Sequence, residues 1–509
     1  MPKSPSKDLF QLVRSLTKAE KRHFKIFVSG SIAEKKNNYV RLFDAIARQK
    51  EYDENRILKK EKHIRHLPML KNRLHEIILQ SLNVFHANNS ASTTLANYLH
   101  RIEILFEKGL YTQCRKIVNK AKHIAYQYED HLRIFEILTW EQQIMRTTMQ
   151  VREINMKADK FKKEEQLILK KLSDVSEYGT VVNKMFVLKS QKGKIARTKD
   201  NLKKYQALMN HPVFKDVNKR SSYEATRLYY QLNALYFSAT ENLNKNHQYN
   251  KLLVAWIELH PEKMKEEVDG YFKALGNLMI SQSRLKKTKE CLASIQKMRA
   301  LSTRSVALQT AIFIQSYTAE INIHARTGDL ETCIDLCHEV EKKIQQYESN
   351  MNEGSKISIY CNLACLYFCV KNYSRSLLQL NKVLNASFGK TREDLQCIAR
   401  ILNLLIHYEM QNMNLLEHLT RSAHHFLDKR NYFFKVERAI VNFFGKKIPR
   451  IITEQENIQA FQELKKELIK ITKDPFEKQI LEDFDFISWV ESKIEKRPFV
   501  EILKEKAKD

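Results

Sequence analysis

The sequence predicts an all-α protein in which antiparallel helical hairpins stack into an α-solenoid, preceded by a small N-terminal helical domain. Only 10 Gly and 8 Pro occur among the 509 residues, so the turns that a sheet protein of this size needs are scarce. Apolar residues also return every three or four positions on both sides of short polar breaks, which is typical of amphipathic helices. A solenoid suits this length because each hairpin packs only on its neighbours.

Residues 1–90 are predicted to form the basic N-terminal helical domain. Thr17 and Glu20 have the spacing of a capping box, so we expect a helix to begin there. Asp53 is suited to cap a second helix, and Pro68 to occupy the first turn of a third. Three helices with short links are also compatible with a small DNA-binding domain, although most such units bind no DNA.

Residues 91–450 are predicted to form successive helical hairpins. The clearest hairpin follows the pattern Tyr360-x-x-Leu363-Ala364-x-x-Tyr367, and its second helix follows Lys371-Asn372-Tyr373. The same order of residues recurs around Gly328 and around Gly109. This pattern resembles tetratricopeptide repeats. The equivalent positions Gly328 and Lys371 are 43 residues apart, whereas regular tetratricopeptide repeats advance by about 34, so the repeats are divergent.

Residues 451–509 are predicted to form a C-terminal helical cap, because the end of a solenoid has to cover its apolar face. Residues 483–490 contain aromatic residues beside acidic ones. Pro498 predicts the end of a helix, followed by a polar tail. The alternative is that this segment docks another subunit.

The resemblance to tetratricopeptide repeats implies a non-enzymatic scaffold that binds a protein or peptide in the groove of the solenoid. It also implies which residues of the first helices face that groove. They are Asn322, Arg326, Cys361, Asn362, Cys365, Phe368 and Cys369. Some members of the family clamp a peptide's terminal carboxylate, but Thr318 replaces the expected cation here. An apolar or helical ligand therefore fits better.

The charge of the chain supports a second hypothesis, a nucleic-acid-binding regulatory protein. The formal net charge is +28, and residues 1–230 carry +22 of it. A field of this sign attracts polyanions, although a lysine bias on solvated helix faces accounts for it equally well. The candidate polyanion contacts are Lys18, Lys21, Arg22, Lys25, Lys192, Lys194, Arg197, Lys203 and Lys204.

We expect no enzyme activity, cofactor or metal site. Gly389-Lys390-Thr391 is similar to the end of a phosphate-binding loop, but Leu384 stands where the motif needs its first Gly. Five cysteines at helical spacing could hold zinc or an iron–sulfur cluster, yet small apolar packing residues are the simpler interpretation. They are Cys333, Cys337, Cys361, Cys365 and Cys369.

We also expect a cytoplasmic protein with reduced thiols and no membrane association. The eight cysteines do not form the framework of a small secreted domain. The N-terminus lacks the apolar core of a signal peptide, and no segment approaches the roughly 18 apolar residues of a membrane span. The sequence leaves the partner's identity and the oligomeric state open.

Overall fold

In a computed structural model, every regular element of the described residues is helical, as predicted. The structure describes residues 6–31, 36–49, 51–60, 66–192, 199–348, 351–385, 391–429, 434–482 and 484–508. None of the helices within these ranges combines the length and the hydropathy that a membrane crossing requires.

The chain divides into two compact units. The first unit comprises Met1–Gly179 and Asp216–Thr226, and the second comprises Thr180–Lys215 and Arg227–Asp509. The domain boundaries proposed from the sequence near residues 90 and 450 stay a prediction.

The first unit begins with five helices that share one apolar core. They are α1 (Asp8–Ser15), α2 (Lys18–Ser31), α3 (Lys36–Ala47), α4 (Glu54–Lys60) and α5 (Leu67–His86). The predicted helix starts are found at α2, α4 and α5. In the capping box of α2, the Glu20 carboxylate accepts the Thr17 backbone N–H at 2.7 Å. Asp53 accepts the backbone N–H of Arg56 at 3.0 Å, and Pro68 lies in the first turn of α5.

Helices α1 and α3 were not predicted from the sequence. They supply Val13 and Leu42, both fully buried, to the core that α2 and α5 also line. Five helices of residues 1–90 therefore share this core, and the two short amphipathic helices α1 and α3 complete the part that the three predicted helices leave uncovered.

The rest of the first unit consists mainly of paired helices. They are α6 (Ala91–Glu107), α7 (Tyr111–Gln127), α8 (His131–Thr147) and the first part of α9 (Val151–Lys192), together with a 3-10 turn at Val217–Lys219. Helices α6 and α7 are the pair predicted around Gly109, which takes a φ of +73° between them.

The second unit is a succession of helix pairs joined by short turns. Its helices up to residue 429 are α10 (Lys199–Met209), α11 (Pro212–Lys215), most of α12 (Tyr223–Ala239), α13 (Leu243–Glu258), α14 (Pro261–Glu266), α15 (Val268–Arg284), α16 (Thr288–Arg299), α17 (Val306–Thr327), α18 (Leu330–Tyr347), α19 (Glu353–Cys369), α20 (Tyr373–Leu384), α21 (Glu393–Glu409) and α22 (Met413–Lys429). Helix α17 packs on its partner α18 and also on α15 and α19, and α19 packs on its partner α20 and on α21. Each pair therefore buries its apolar surface against the next pair along the chain.

The turns and the helix crossings repeat the same geometry from pair to pair. Turn residues take left-handed backbone conformations, at Gly109, Glu241, Lys286, Gly328, Lys371 and Gln411. A small or polar side chain of the second helix also bonds to a first-helix carbonyl oxygen 12 residues earlier. The bonds join Cys114 to Ile102, Asn246 to Ala234, Cys291 to Met279 and Ser376 to Ala364. These contacts hold the two helices of a pair close together.

The remaining helices cover one side of these pairs. They are α23 (Lys435–Asn442), α24 (Glu454–Ile471), α25 (Pro475–Lys478), α26 (Phe486–Glu495) and α27 (Phe499–Lys508), with a π-helical turn at Phe443–Lys447 and 3-10 turns at Ile448–Arg450 and Gln479–Glu482. Helix α24 packs on α26, α26 on α27, and α27 on α17.

The prediction of a polar tail after Pro498 was wrong. Residues 499–508 form α27, in which Val500 and Leu503 are 4% and 6% exposed. Their spacing of three residues places both on one helix face, and the charged side chains of Glu501, Lys504 and Glu505 are exposed.

Candidate functional site

A groove of about 810 Å³ lies within the second unit. One wall consists of the turns after α12 and α15 and the end of α17, and the other consists of residues between α24 and α26 together with α27. Ile323, Leu481 and Leu503 give the groove an apolar part. We call it the basic groove, because six cationic side chains line it against two carboxylates. The cations are Arg284, Lys286, Arg326, Lys473, Lys478 and Lys506, and the carboxylates are Glu241 and Asp485.

Half of these cations are available to a ligand. Arg284 donates to the Glu241 carboxylate at 2.8 Å, and Lys506 pairs with Glu491. In contrast, the ammonium groups of Lys286, Lys473 and Lys478 form no ion pair with any residue that the structure describes. All three are exposed at the edge of the groove. An anionic ligand would thus meet three uncompensated positive charges beside an apolar surface.

Helix α27 closes one side of the groove through a very close contact with Gly328. A Cβ atom at Gly328 would lie 2.6 Å from the Lys504 Cγ and 2.9 Å from the Val500 carbonyl oxygen. Gly328 also has a φ of +68°, which disfavours a side chain independently of the space around it. Two separate constraints therefore select glycine at the position where α27 meets the end of α17.

Two of the predicted groove residues lie beneath α27 instead of facing an open groove. Cys369 is 6% exposed and packs in one apolar cluster with Val500 and Leu503. Phe368 is 2% exposed, and its ring centroid lies 5.4 Å from that of Phe484 and 6.1 Å from that of Phe499. The apolar surface that the sequence assigned to a helical ligand is thus covered by a helix of the same chain.

The other predicted groove residues have different environments. Arg326 lines the basic groove. The Asn362 side-chain amide donates to the Thr318 hydroxyl at 3.2 Å, so the two side chains link α19 to α17. Cys361 is 5% exposed in the main core of the second unit, and Cys365 packs partly buried against that core. Asn322 is half-buried on α17. The structure therefore does not gather the seven residues into one surface.

All the cysteines except the half-buried Cys365 are buried thiols. Burial raises the pKa of Cys333 and of Cys337 to about 12, and it raises the pKa of Cys369 well above the ordinary value. Thiols with such pKa values stay protonated near neutral pH, so they are poor nucleophiles. Within the described ranges, no group of three or more His, Cys, Asp or Glu side chains is arranged to hold a metal ion.

The candidate polyanion contacts fall into two sets in different units. In the first unit, Lys18, Arg22 and Lys25 are exposed on α2 and Lys21 is half-buried, while Lys25 pairs with Asp44 at 2.8 Å. In the second unit, Lys203 and Lys204 are exposed on α10, and Lys192 is the final residue of α9. Lys194 and Arg197 lie outside the described residues.

The basic groove was not predicted from the sequence. Its unpaired cations come from the turn at Lys286 and from Lys473 and Lys478, which are almost 190 residues further along the chain. The one available signal was the Val500 and Leu503 spacing, which predicts an amphipathic helix able to cover the end of a repeat.

A scan of protein-family models and searches of curated proteins and of solved structures give no match to this chain.

Proposed function

We propose that this protein is a non-enzymatic scaffold of the tetratricopeptide-like solenoid class, which binds an acidic segment of a partner protein in the basic groove. The observation that carries the proposal is that the ammonium groups of Lys286, Lys473 and Lys478 form no ion pair with the described residues and lie beside the apolar residues Ile323, Leu481 and Leu503. Carboxylates meet the cations, and apolar side chains of the partner meet the apolar part.

The solenoid part of the proposal is supported by the repeated geometry of the helix pairs. Left-handed turn residues recur at Glu241, Lys286, Gly328, Lys371 and Gln411. Consecutive pairs also pack through their first helices, as α15, α17, α19 and α21 do. Arrays of this kind present a continuous series of first helices, which is the surface that repeat proteins use to bind extended partners.

We propose an acidic partner segment and not an apolar helix as the ligand. The apolar first-helix surface around Phe368 and Cys369 is already buried by α27. The basic groove beside α27 is open, and its lining carries more positive than negative charge. Attraction between complementary charges would raise the rate of association and discriminate against basic partners.

Site-specific photo-crosslinking in cells tests the proposal. A benzophenone amino acid at position 286 places the reactive group at the edge of the groove, and one at position 466, which is exposed and outside the groove lining, serves as the matched control. We expect a discrete protein adduct from position 286 that survives nuclease treatment and disappears when Lys473 and Lys478 are changed to Glu. Equal adducts from both positions, or adducts that nuclease removes, would refute the scaffold.

We propose nucleic-acid binding as the second candidate function. The exposed Lys18 and Arg22 on α2, together with the charge of +22 on residues 1–230, favour it. Phosphate contacts of this kind weaken steeply with salt, whereas a mixed apolar and ionic peptide contact weakens less. Titration with double-stranded and single-stranded DNA and RNA at low and moderate salt separates the two functions.

A further inference from the structure

A second cavity of the second unit lies at the opposite end of α27 from the basic groove. Its volume is about 420 Å³, and sites for small organic ligands typically enclose roughly 300–1,000 Å³. Phe499, the first residue of α27, lines this cavity, whereas Leu503 and Lys506 of the same helix line the basic groove. No described residue lines both cavities.

Cationic side chains from three segments line this cavity, which we call the Lys371 cavity. They are Lys371 in the turn after α19, Lys493 in the last turn of α26, and Lys496 and Arg497 in the turn between α26 and α27. Among the described lining residues, Glu409 is the one carboxylate. The lining therefore carries more positive than negative charge, which favours an anionic ligand.

The Glu409 carboxylate is already occupied by donors of the protein. It accepts the Trp489 indole N–H at 2.7 Å and the Tyr373 hydroxyl at 3.3 Å, and it pairs with the Lys493 ammonium group. These contacts compensate its charge, so it repels an incoming anion weakly. They also fix the position of the Lys493 ammonium group, which has three N–H donors and therefore retains donors for a ligand.

Two further ammonium groups are available at the Lys371 cavity. Lys371 is exposed and forms no ion pair with any residue that the structure describes. Lys496 pairs with Glu454 at 2.5 Å, but the two side chains are 60% and 72% exposed, so water and salt screen this pair. Arg497 differs from both lysines, because its guanidinium group already bonds to the Glu505 carboxylate of α27.

We infer that the Lys371 cavity binds a small organic phosphate monoester. A phosphate monoester carries close to two negative charges at neutral pH and three strong acceptor oxygens, which match the three lysine ammonium groups. A carboxylate has one charge and two oxygens, so it would leave one of these groups without a partner. The organic part of the ligand packs against Pro498 and Phe499, which are half-buried and line the same cavity. This site is independent of the basic groove and of the scaffold function.

Two probe molecules of the same shape test the inference. Phenyl phosphate and phenyl sulfate both carry a tetrahedral anionic group on one ring, but at pH 7.5 the sulfate has one negative charge and the phosphate nearly two. Ligand-observed NMR titrations of the full chain give the affinity for each probe. We expect phenyl phosphate to bind at least about tenfold more tightly, and the joint change Lys371→Gln and Lys496→Gln to weaken its binding at least about tenfold.

A variant of the opposite sign distinguishes ligand binding from a structural role of the lysines. Glu454→Gln removes the carboxylate that pairs with Lys496 and does not line the cavity. It should therefore free the Lys496 ammonium group and strengthen phenyl phosphate binding about two- to threefold.

Control variants account for net charge and for the other basic site. Lys265→Gln together with Lys446→Gln changes two exposed residues that do not line the cavity. Joint change of Lys286, Lys473 and Lys478 to Gln removes the unpaired cations of the basic groove. Both controls should leave the affinity for phenyl phosphate within about twofold, and melting temperatures show that all variants remain folded.

Three results would overturn the inference. The first is the absence of saturable phenyl phosphate binding at millimolar concentration. The second is equal affinity for the two probes, which would mean that the second charge meets no cation. The third is an equal loss of affinity in the Lys371 and Lys496 variant and in either control, which would show attraction by net charge and not by this cavity.

Discussion

The Val500 carbonyl oxygen would lie 2.9 Å from a Cβ atom at Gly328, so the position of α27 depends on the absence of a side chain at the end of α17. This contact determines where one wall of the basic groove lies. On one side of it, α27 covers the surface around Phe368 and Cys369. On the other side, the basic groove remains open.

Gly328→Ala should destabilise the second unit and release α27. The substitution combines the left-handed backbone penalty of about 1–2 kcal/mol with a steric conflict against Val500 and Lys504, so we expect a loss of about 2–4 kcal/mol. Urea unfolding measures the loss, and limited tryptic cleavage at Lys504 and Lys506 within α27 measures the release. Gly109→Ala is the matched control, because Gly109 has a φ of +73° and nothing within 4 Å of its added Cβ. Equal losses in the two variants would show that the contact with α27 is unimportant.

Trp489→Phe should destabilise the second unit by about 2 kcal/mol. The Trp489 indole N–H donates to the Glu409 carboxylate at 2.7 Å, and Trp489 is 1% exposed. Removal of a buried donor to a charged acceptor costs more than removal of a neutral hydrogen bond. Chemical denaturation followed by circular dichroism gives the change. The control variant is Trp140→Phe, because Trp140 is half-buried. If Trp140→Phe lowered the free energy of unfolding as much as Trp489→Phe does, the hydrogen bond to Glu409 would not be the cause of the loss.

The free energy of unfolding should fall as the pH rises from about 5 to 7, because of the Glu437 carboxyl group. Burial raises the pKa of Glu437 to about 7, and the neighbouring Glu477 carboxylate acts in the same direction. The unfolded carboxyl group has a pKa of about 4.3, so the folded state retains a proton that the unfolded state releases in this interval. The stabilisation present below pH 4 is therefore lost as the pH rises through 7, by up to about 4 kcal/mol.

Unfolding free energies measured from pH 5 to pH 8 test this dependence. Glu437→Gln should flatten the profile, because a neutral amide binds no proton in either state. The control variant Glu467→Gln changes an exposed residue of α24 and should leave the profile as it is. If Glu437→Gln retained the original slope, another group would be responsible.

Charge reversal in the basic groove should abolish the binding of an acidic peptide. The probe is a fluorescent 15-residue peptide of Glu and Leu, measured by anisotropy, and the same peptide with Gln in place of Glu reports the contribution of charge. We expect binding to weaken at least 30-fold when Lys286, Lys473 and Lys478 are all changed to Glu. This factor corresponds to a loss of about 0.7 kcal/mol or more of binding free energy for each charge. Undiminished binding would locate the site elsewhere.

A matched variant separates the groove from the net charge of the chain. Lys265, Lys446 and Lys466 are exposed residues of the second unit that do not line the groove. Their joint change to Glu alters the net charge by the same amount. We expect at most a two- to threefold loss of affinity for the Glu and Leu peptide, since distant charges are screened beyond about 10 Å.

Reversal of the cations on α2 distinguishes the two candidate functions. Changing Lys18, Lys21, Arg22 and Lys25 together to Glu should leave the affinity for the acidic peptide unchanged, because none of these residues lines the basic groove. The same variant should lose residual DNA or RNA binding and show a shallower dependence of that binding on salt. Nucleic-acid binding that is tight at moderate salt and lost in this variant would favour the second function over the scaffold.

The helices were predictable where the signal is local. The Thr17 and Glu20 capping box, the Asp53 cap and the pair around Gly109 depend on residues within a few positions of one another, and the structure contains all of them. Helices α1 and α3 were not predicted, because they are short and their apolar residues are interpretable only once α2 and α5 supply a core to contact.

The sites were not predictable to the same degree. The sequence indicated an apolar first-helix surface at Phe368 and Cys369, and both residues are indeed part of a large apolar contact. What the sequence could not indicate is which segment covers that surface, because Val500 is far from both residues along the chain.

The contact between Gly328 and Val500 also has a consequence for biosynthesis. Val500 leaves the ribosome about 170 residues after Gly328, which corresponds to roughly 10–35 s of translation at ordinary elongation rates. During that interval the inner surface of α17 and the Phe368 side chain have no α27 to cover them, and exposed apolar surface of this kind is what chaperones recognise. The nascent chain is therefore most dependent on chaperone protection between the emergence of α19 and that of α27.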